Sequence, residues 1–78
     1  MEVRSKVKEV IVNLLKIKPE ELKDDVPLQE GIGVDSTEMV ETVIALEKAF
    51  GTKLSPKEIT KTSTINEIEA VIKSKISG

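Results

Sequence analysis

The sequence contains no cysteine, histidine, tryptophan or tyrosine, and Phe50 is its only aromatic residue. Protein zinc sites are usually built from cysteine and histidine, and a disulfide needs two cysteines, so neither feature can form in the usual way. Thiol and imidazole catalysis by the chain's own side chains are excluded for the same reason. We therefore expect a protein that is not an enzyme and that holds no metal ion of its own.

Long apolar runs are also missing, as is a basic segment followed by an apolar one that would direct secretion. We expect a cytoplasmic protein with no stable membrane insertion. Its 78 residues supply apolar side chains for one hydrophobic core but not for two. The sequence therefore predicts one domain over residues 1–78, and we expect it to be a monomer.

The acidic residues are distributed unevenly, although the formal net charge is only −2. Residues 19–41 carry eight acidic side chains and one basic side chain, that of Lys23. Such a segment repels nucleic acid and attracts basic protein surfaces. The alternative interpretation is an ordinary solvated face without a partner.

Apolar residues recur at spacings of three and four in three segments, which is typical of amphipathic helices. The predicted helices span about 3–16, closed by Pro19, then about 36–50, and last about 65–76. The segment Ser55-Pro56-Lys57-Glu58 has the residue types of a helix start and predicts a further, short helix. The fold class is therefore all-α, a small four-helix bundle of three longer helices and one short helix.

The connection between the first two of these helices, residues 17–35, shows no sustained period and contains two prolines and two glycines. Because structureless connections of this length are uncommon, we expect an ordered loop packed over the bundle, with one helical turn at Pro19–Leu22. The predicted core between the helices comprises Val7, Ile11, Leu15, Ile44, Leu46, Phe50, Ile59, Ile68 and Ile72.

Ser36 lies in the first turn of a predicted helix, directly after this long loop. Asp35 can cap the helix, and Glu38 three residues later can complete a capping box. Free N–H groups and a partial positive charge make such a helix start favourable for a phosphoester. The Asp35 carboxylate could help an incoming enzyme to hold a hydrated divalent cation. Alternatively, Asp35 and Ser36 only start a helix, since both residue types are favoured there.

The stretch from Gly33 to Phe50, GVDSTEMVETVIALEKAF, resembles the serine loop and second helix of acyl carrier proteins, and the similarity extends over essentially the whole chain. The resemblance implies that a phosphopantetheinyl transferase attaches a phosphopantetheine arm to Ser36. The thiol of that arm would hold acyl groups for enzymes of fatty-acid, related lipid or secondary-metabolite biosynthesis. It also implies that an acyl chain can enter between helices two, three and four.

The resemblance further implies that the acidic second helix docks on basic patches of synthases, ligases and transferases. The partner-binding positions expected from it are Thr37, Glu38, Met39, Glu41 and Glu47, with Asp35 beside the attachment site. Thr37 departs from the bulky aliphatic residue that is usual in the family. Basic residues also stand where the family tends to be acidic, at Lys48, Lys53, Lys57 and Lys61. A less uniformly negative face indicates a specialised carrier that serves a dedicated pathway.

Two alternatives remain open at this stage. An aminoacyl or peptidyl carrier, such as a D-alanyl carrier, would use the same arm with a different load. An unmodified helical module would use only its acidic face to bind a basic partner. Covalent loading of Ser36 separates the module from both carriers, and the identity of the loading ligase separates the two carriers.

Overall fold

A computed structural model describes residues 2–77, with the side chains of residues 2–76. Residues 1 and 78, the two ends of the predicted domain, lie outside the described residues. Within this range the chain forms helices α1 (Val3–Leu15), α2 (Leu28–Gly31), α3 (Ser36–Phe50) and α4 (Ile65–Ser77), and no strand. The predicted all-α fold with three longer helices is confirmed, whereas the one short helix of the structure is α2 and not the helix predicted at Ser55. None of these four described helices is both long and apolar enough to cross a bilayer.

Helix α1 ends at Leu15, one residue earlier than predicted, and Pro19 is not what ends it. Lys16 adopts the left-handed conformation, with φ 56°, and its backbone N–H donates to the Val12 carbonyl. The Ile17 N–H donates to the same carbonyl over 3.3 Å. These bonds satisfy a carbonyl group that the end of the helix would otherwise leave unpaired.

The connection between α1 and α3 is ordered, as expected, and it contains an element that the sequence did not reveal. A 3-10 turn at Pro19–Glu21 occupies the predicted position. Helix α2 was not predicted, and its start is held by two hydrogen bonds to a distant loop. The Leu28 N–H donates to the Ser63 carbonyl over 3.0 Å, and the Gln29 N–H donates to the Lys61 carbonyl over 2.9 Å.

The predicted short helix at Ser55 is wrong, because this segment forms a single turn. The expected capping contacts do form: the Lys57 N–H donates to Ser55 Oγ over 3.1 Å, and the Ser55 N–H donates to Glu58 Oε2 over 3.1 Å. The turn does not continue, since the Thr60 N–H donates to Ser63 Oγ over 3.1 Å. Side-chain acceptors of this kind compete with helix formation.

Helix α1 packs against both α3 and α4, and the core lies between them. Its most completely buried apolar residues are Val7, Ile11, Leu46, Ile59, Ile65, Ile68 and Ile72. The predicted core position of Ile44 is wrong, since this residue is 46% exposed. At about 100° per residue, Ile44 lies roughly 100° around α3 from the buried Val43. Leu15 and Phe50 are only partly buried against the core.

A cluster of charged residues joins α1, the connection and α4. Arg4 donates to Glu69 Oε1 over 2.9 Å and to Asp24 Oδ2 over 3.3 Å, and Lys8 pairs with Asp24 Oδ1. Glu69 is only 9% exposed. The hydrogen bond from Arg4 lowers the pKa of the Glu69 carboxyl, and the one from Lys8 lowers the pKa of Asp24. The cluster therefore links three parts of the chain that are distant in sequence.

Candidate functional site

Ser36 is the first residue of α3, and its side chain is exposed. Its hydroxyl makes no hydrogen bond to any residue in the described part of the chain. The preceding loop holds it there: Val34 is 4% exposed and anchors the chain in the core, while Gly33 turns the backbone with φ 67°. Glycine adopts this left-handed conformation without strain. The fold thus presents the Ser36 hydroxyl to solvent.

Asp35 caps α3 as predicted. Asp35 Oδ1 accepts from the Glu38 N–H over 2.7 Å, and the Asp35 N–H donates to Glu38 Oε1 over 3.1 Å. This reciprocal pair is a complete capping box and fixes where the helix begins. The cap uses Oδ1 of an exposed carboxylate, so Asp35 can still offer Oδ2 to a cation held mainly by another molecule.

Beside Ser36 lies a groove of about 260 Å³ between the start of α3 and residues 56–61. We call it the serine groove, and it is lined by Ser36, Met39, Val40, Pro56, Ile59, Thr60 and Lys61. Its walls are mostly apolar, and Lys61 is the one charged residue among those lining it. Small-molecule sites usually measure about 300–1,000 Å³, so the serine groove has room for part of a flexible ligand.

The five predicted partner-binding residues do not share one surface. Thr37 and Glu41 are exposed, whereas Glu38 is half-buried and engaged in the capping box. Met39 is 5% exposed and belongs to the core. Glu47 is half-buried, and its Oε2 accepts from the Leu54 N–H over 2.9 Å.

Two residues that the sequence analysis did not single out for binding lie on the exposed side of α3. Val40 is 47% exposed and Ile44 is 46% exposed, and beyond them Ile76 is the remaining large hydrophobic residue exposed in the described range. Helical geometry could have revealed them, because Val40 lies about 100° around the helix from the buried Met39. A second groove, of about 320 Å³, is lined by Leu14, Glu41, Ile44, Ala45 and Lys48.

Comparison with known proteins assigns the chain to a family. Residues 5–72 match the family described as "Phosphopantetheine attachment site". The acyl carrier protein of Wolinella succinogenes is 35% identical over 68 residues, which are 87% of this chain and 90% of that protein. The chain belongs to the acyl carrier protein family. The resemblance inferred from the segment around Ser36 is thereby confirmed.

Two further acyl carrier proteins show how far the similarity extends. The one from Campylobacter hominis is 36% identical over 72 residues, covering 92% of this chain and 91% of that protein. The one from Thermosynechococcus vestitus is 29% identical over 77 residues, covering 99% of this chain and 95% of that protein. The relatives match this chain over nearly their whole length.

Membership in the acyl carrier family establishes the type of protein. Acyl carrier proteins are carriers and not enzymes, and their prosthetic group is phosphopantetheine. They interact with a phosphopantetheinyl transferase and with biosynthetic enzymes. The site fits this group, since an exposed hydroxyl opens on a groove with apolar walls and one cationic side chain.

Proposed function

We propose that Ser36 carries the phosphopantetheine arm. The observation that carries this proposal is the exposed Ser36 hydroxyl, which opens on the serine groove and makes no hydrogen bond within the described residues. The attached arm supplies a thiol on which acyl groups are held as thioesters. The protein itself presents the Ser36 hydroxyl to the transferase, and the apolar residues of the serine groove can contact the attached arm.

The residues around Ser36 have supporting roles in this proposal. The capping box of Asp35 and Glu38 fixes the start of α3, so the hydroxyl has a defined position when the transferase binds. Asp35 assists the transferase's divalent cation with its free carboxylate oxygen. Free N–H groups at the start of the helix favour the phosphate once it is attached.

We also propose that the exposed side of α3 is the surface on which partner enzymes dock. This docking face consists of Thr37, Val40, Glu41, Ile44 and Lys48. Exposed apolar side chains at its centre would be covered by a partner, and Glu41 would attract a basic residue. Buried Met39 and hydrogen-bonded Glu47 would support this face from within instead of touching the partner.

The acyl load and the pathway are proposals as well. We favour fatty-acid or related lipid or secondary-metabolite biosynthesis over an aminoacyl load, because the relatives are named acyl carrier proteins. Lys48 adds a positive charge to the docking face and would repel a uniformly basic partner surface. Partners whose docking surface is not uniformly basic are therefore favoured. A monomeric, cytoplasmic carrier remains the prediction of the sequence.

Mass spectrometry of the intact protein tests the attachment site. The wild-type chain, Ser36→Ala and the matched control Ser5→Ala are each incubated with coenzyme A, magnesium and a promiscuous phosphopantetheinyl transferase. We expect one added arm on wild type and on Ser5→Ala, and none on Ser36→Ala. Because Asp35 and not Ser36 is the cap, Ser36→Ala should lower the free energy of unfolding by less than about 1 kcal/mol.

Two results would contradict the proposal. Loading of Ser36→Ala at the wild-type rate would place the arm elsewhere. A folded wild-type chain that gains no arm would favour the unmodified interaction module. Once loading is shown, supplying the arm-bearing protein to acyl-activating and amino-acid-activating ligases decides between the two kinds of load.

A further inference from the structure

Lys61 is the charged residue in the lining of the serine groove, and it faces the same space as Ser36. Its side chain is exposed. Arg4, Lys8 and Lys75 all pair with carboxylates, whereas Lys61 forms no ion pair within residues 2–76. The Lys61 ammonium is therefore available to an anion that enters the groove.

The backbone that carries Lys61 is held firmly in place. The Gln29 N–H of α2 donates to the Lys61 carbonyl over 2.9 Å. On either side, the Thr60 N–H donates to Ser63 Oγ over 3.1 Å and the Thr62 N–H donates to Thr60 Oγ1 over 3.3 Å. When an anion binds to Lys61, the Lys61 side chain is the part of this segment that still has to be ordered, because the backbone is already held. The entropic cost of binding the anion is reduced accordingly.

An anion attached to Ser36 would meet unfavourable charges as well as favourable ones. The Asp35 and Glu38 carboxylates flank Ser36, and the Glu38 N–H is already taken by Asp35 Oδ1. The two carboxylates repel an anion on Ser36, and the partial positive charge at the start of the helix offsets that repulsion only in part. A nearby cation would compensate for the remaining repulsion. Lys61 is the cationic residue that lines the serine groove.

We propose that Lys61 pairs with the phosphodiester that joins the arm to Ser36, and so holds the beginning of the arm against the groove wall. This inference rests on the proposed attachment at Ser36. The phosphodiester is bonded directly to the serine oxygen, so it stays at the groove whatever the load. A carboxylate on an acyl group would sit at the far end of a flexible arm and is not confined in this way. Lys61 is thus a positioning residue, not a catalytic one.

The expected effect is modest and sensitive to salt. A pair between exposed charges changes an equilibrium by up to about fivefold. Salt screens it, because the Debye length falls from about 30 Å at 0.01 M to about 3 Å at 1 M ionic strength. Low-salt measurements are therefore the sensitive ones.

Nuclear magnetic resonance of the arm-bearing protein with a free thiol provides the test. Wild type, Lys61→Gln and Lys57→Gln are compared through the phosphorus-31 resonance and the backbone amide shifts, at low and at high salt. Lys57 is the matched control, because it is an exposed lysine of the neighbouring turn that does not line the groove. Each variant removes one positive charge.

In wild type and Lys57→Gln, we expect attachment of the arm to shift the amides of residues 60–62, and salt to move the phosphorus resonance. In Lys61→Gln these amide shifts should fall up to about fivefold, and the phosphorus resonance should stay near its high-salt position. Lys61→Arg keeps the charge and should restore the wild-type pattern. Equal behaviour of Lys61→Gln and Lys57→Gln would overturn the proposal.

Failure of this inference is distinguishable from failure of the proposed function. Intact mass first shows whether the arm is attached and whether Ser36→Ala prevents its attachment. An arm on Ser36 with no dependence on Lys61 overturns the pairing alone. If Lys61→Gln were to lose its fold, a wild-type phosphorus resonance that does not respond to salt would overturn the pairing by itself.

Discussion

At the scale of single residues, the same type of side chain serves different purposes on one helix. Met39 is 5% exposed and Val40 is 47% exposed, although they are neighbours and both apolar. Glu41 is exposed, whereas the Glu47 carboxylate accepts a hydrogen bond from the Leu54 N–H. Residue type alone therefore does not say which side chains of α3 are available to a partner.

The proposed docking face leads to a prediction for Glu41→Lys. Reversing this charge should slow association with a partner enzyme that presents a basic patch, by up to about tenfold at low salt. The difference should shrink as salt screens the surface charges. Stopped-flow measurement of the association rate over a series of salt concentrations checks it.

The control for this prediction is Glu9→Lys, since Glu9 is an exposed residue of α1 outside the docking face. It makes the same change in net charge. Identical rates for the two variants at every salt concentration would remove Glu41 from the interface.

At the scale of secondary-structure elements, α1 and α3 are the two longer helices whose C-terminal caps are described. The two caps have the same backbone conformation but are different types of residue. The residue that caps the C-terminus of α3 is Gly51, with φ 63°, and the one that caps α1 is Lys16, with φ 56°. Glycine adopts this left-handed conformation without cost, whereas a residue with a Cβ atom is strained there. The end of α1 is therefore less stable than its sequence could make it.

Lys16→Gly should relieve that strain. We expect the free energy of unfolding to rise by about 0.5–1 kcal/mol, the relief being partly offset by the greater freedom of glycine in the unfolded chain. Urea unfolding followed by circular dichroism gives the value.

Lys18→Gly is the matched control, because Lys18 has an ordinary extended conformation with φ −86°. It should lower the free energy of unfolding by about 0.4–1 kcal/mol. A loss of stability in Lys16→Gly as large as that in Lys18→Gly would contradict the predicted strain.

At the scale of the whole molecule, charged residues supplement the apolar core in joining distant parts of the chain. Arg4 and Lys8 of α1 pair with Asp24 of the connection, and Arg4 also pairs with Glu69 of α4. The pKa of the Glu69 carboxyl is lowered first by the Arg4 hydrogen bond, and that of Asp24 first by the Lys8 hydrogen bond. A carboxyl whose pKa is lower in the folded chain stabilises the fold when it is ionised.

The charge cluster predicts a dependence of stability on pH. Asp and Glu carboxyls of the unfolded chain titrate at about pH 3.9 and 4.3, so the stabilisation is complete above that range. It is lost as pH falls through the lower folded-state pKa values, because the unfolded chain then binds more protons than the folded one. The free energy of unfolding should therefore be constant near neutral pH and fall below about pH 4.

Urea unfolding at a series of pH values tests this dependence. Glu69→Gln should be less stable at neutral pH and should lose less stability on acidification than wild type. Glu9→Gln changes an exposed carboxyl without a hydrogen bond in the described residues and should keep the wild-type profile. Parallel profiles for wild type and Glu69→Gln would show that the Glu69 carboxyl does not contribute to the pH dependence of the free energy of unfolding.

The parts of the fold predicted correctly from sequence are those governed by neighbouring residues. The capping box predicted at Asp35 forms, and a second one of the same kind forms at Thr64, where the Glu67 N–H donates to Thr64 Oγ1 over 3.1 Å. Residues three apart in sequence suffice to make them. The errors arise where distant groups compete: α2 depends on carbonyls of Lys61 and Ser63, and the turn at Ser55 stops because Ser63 accepts the Thr60 N–H.

The sequence by itself determined that Ser36 begins a helix after a long connection, because caps, glycines and apolar spacing act over a few residues. Only the tertiary structure decided that Lys61 lines the same groove as Ser36, that Ile44 faces outward, and that Glu69 pairs with Arg4. These relations depend on how α1, α3 and α4 pack against one another. Packing is a compromise among contacts between residues far apart in the chain, and no local pattern encodes it.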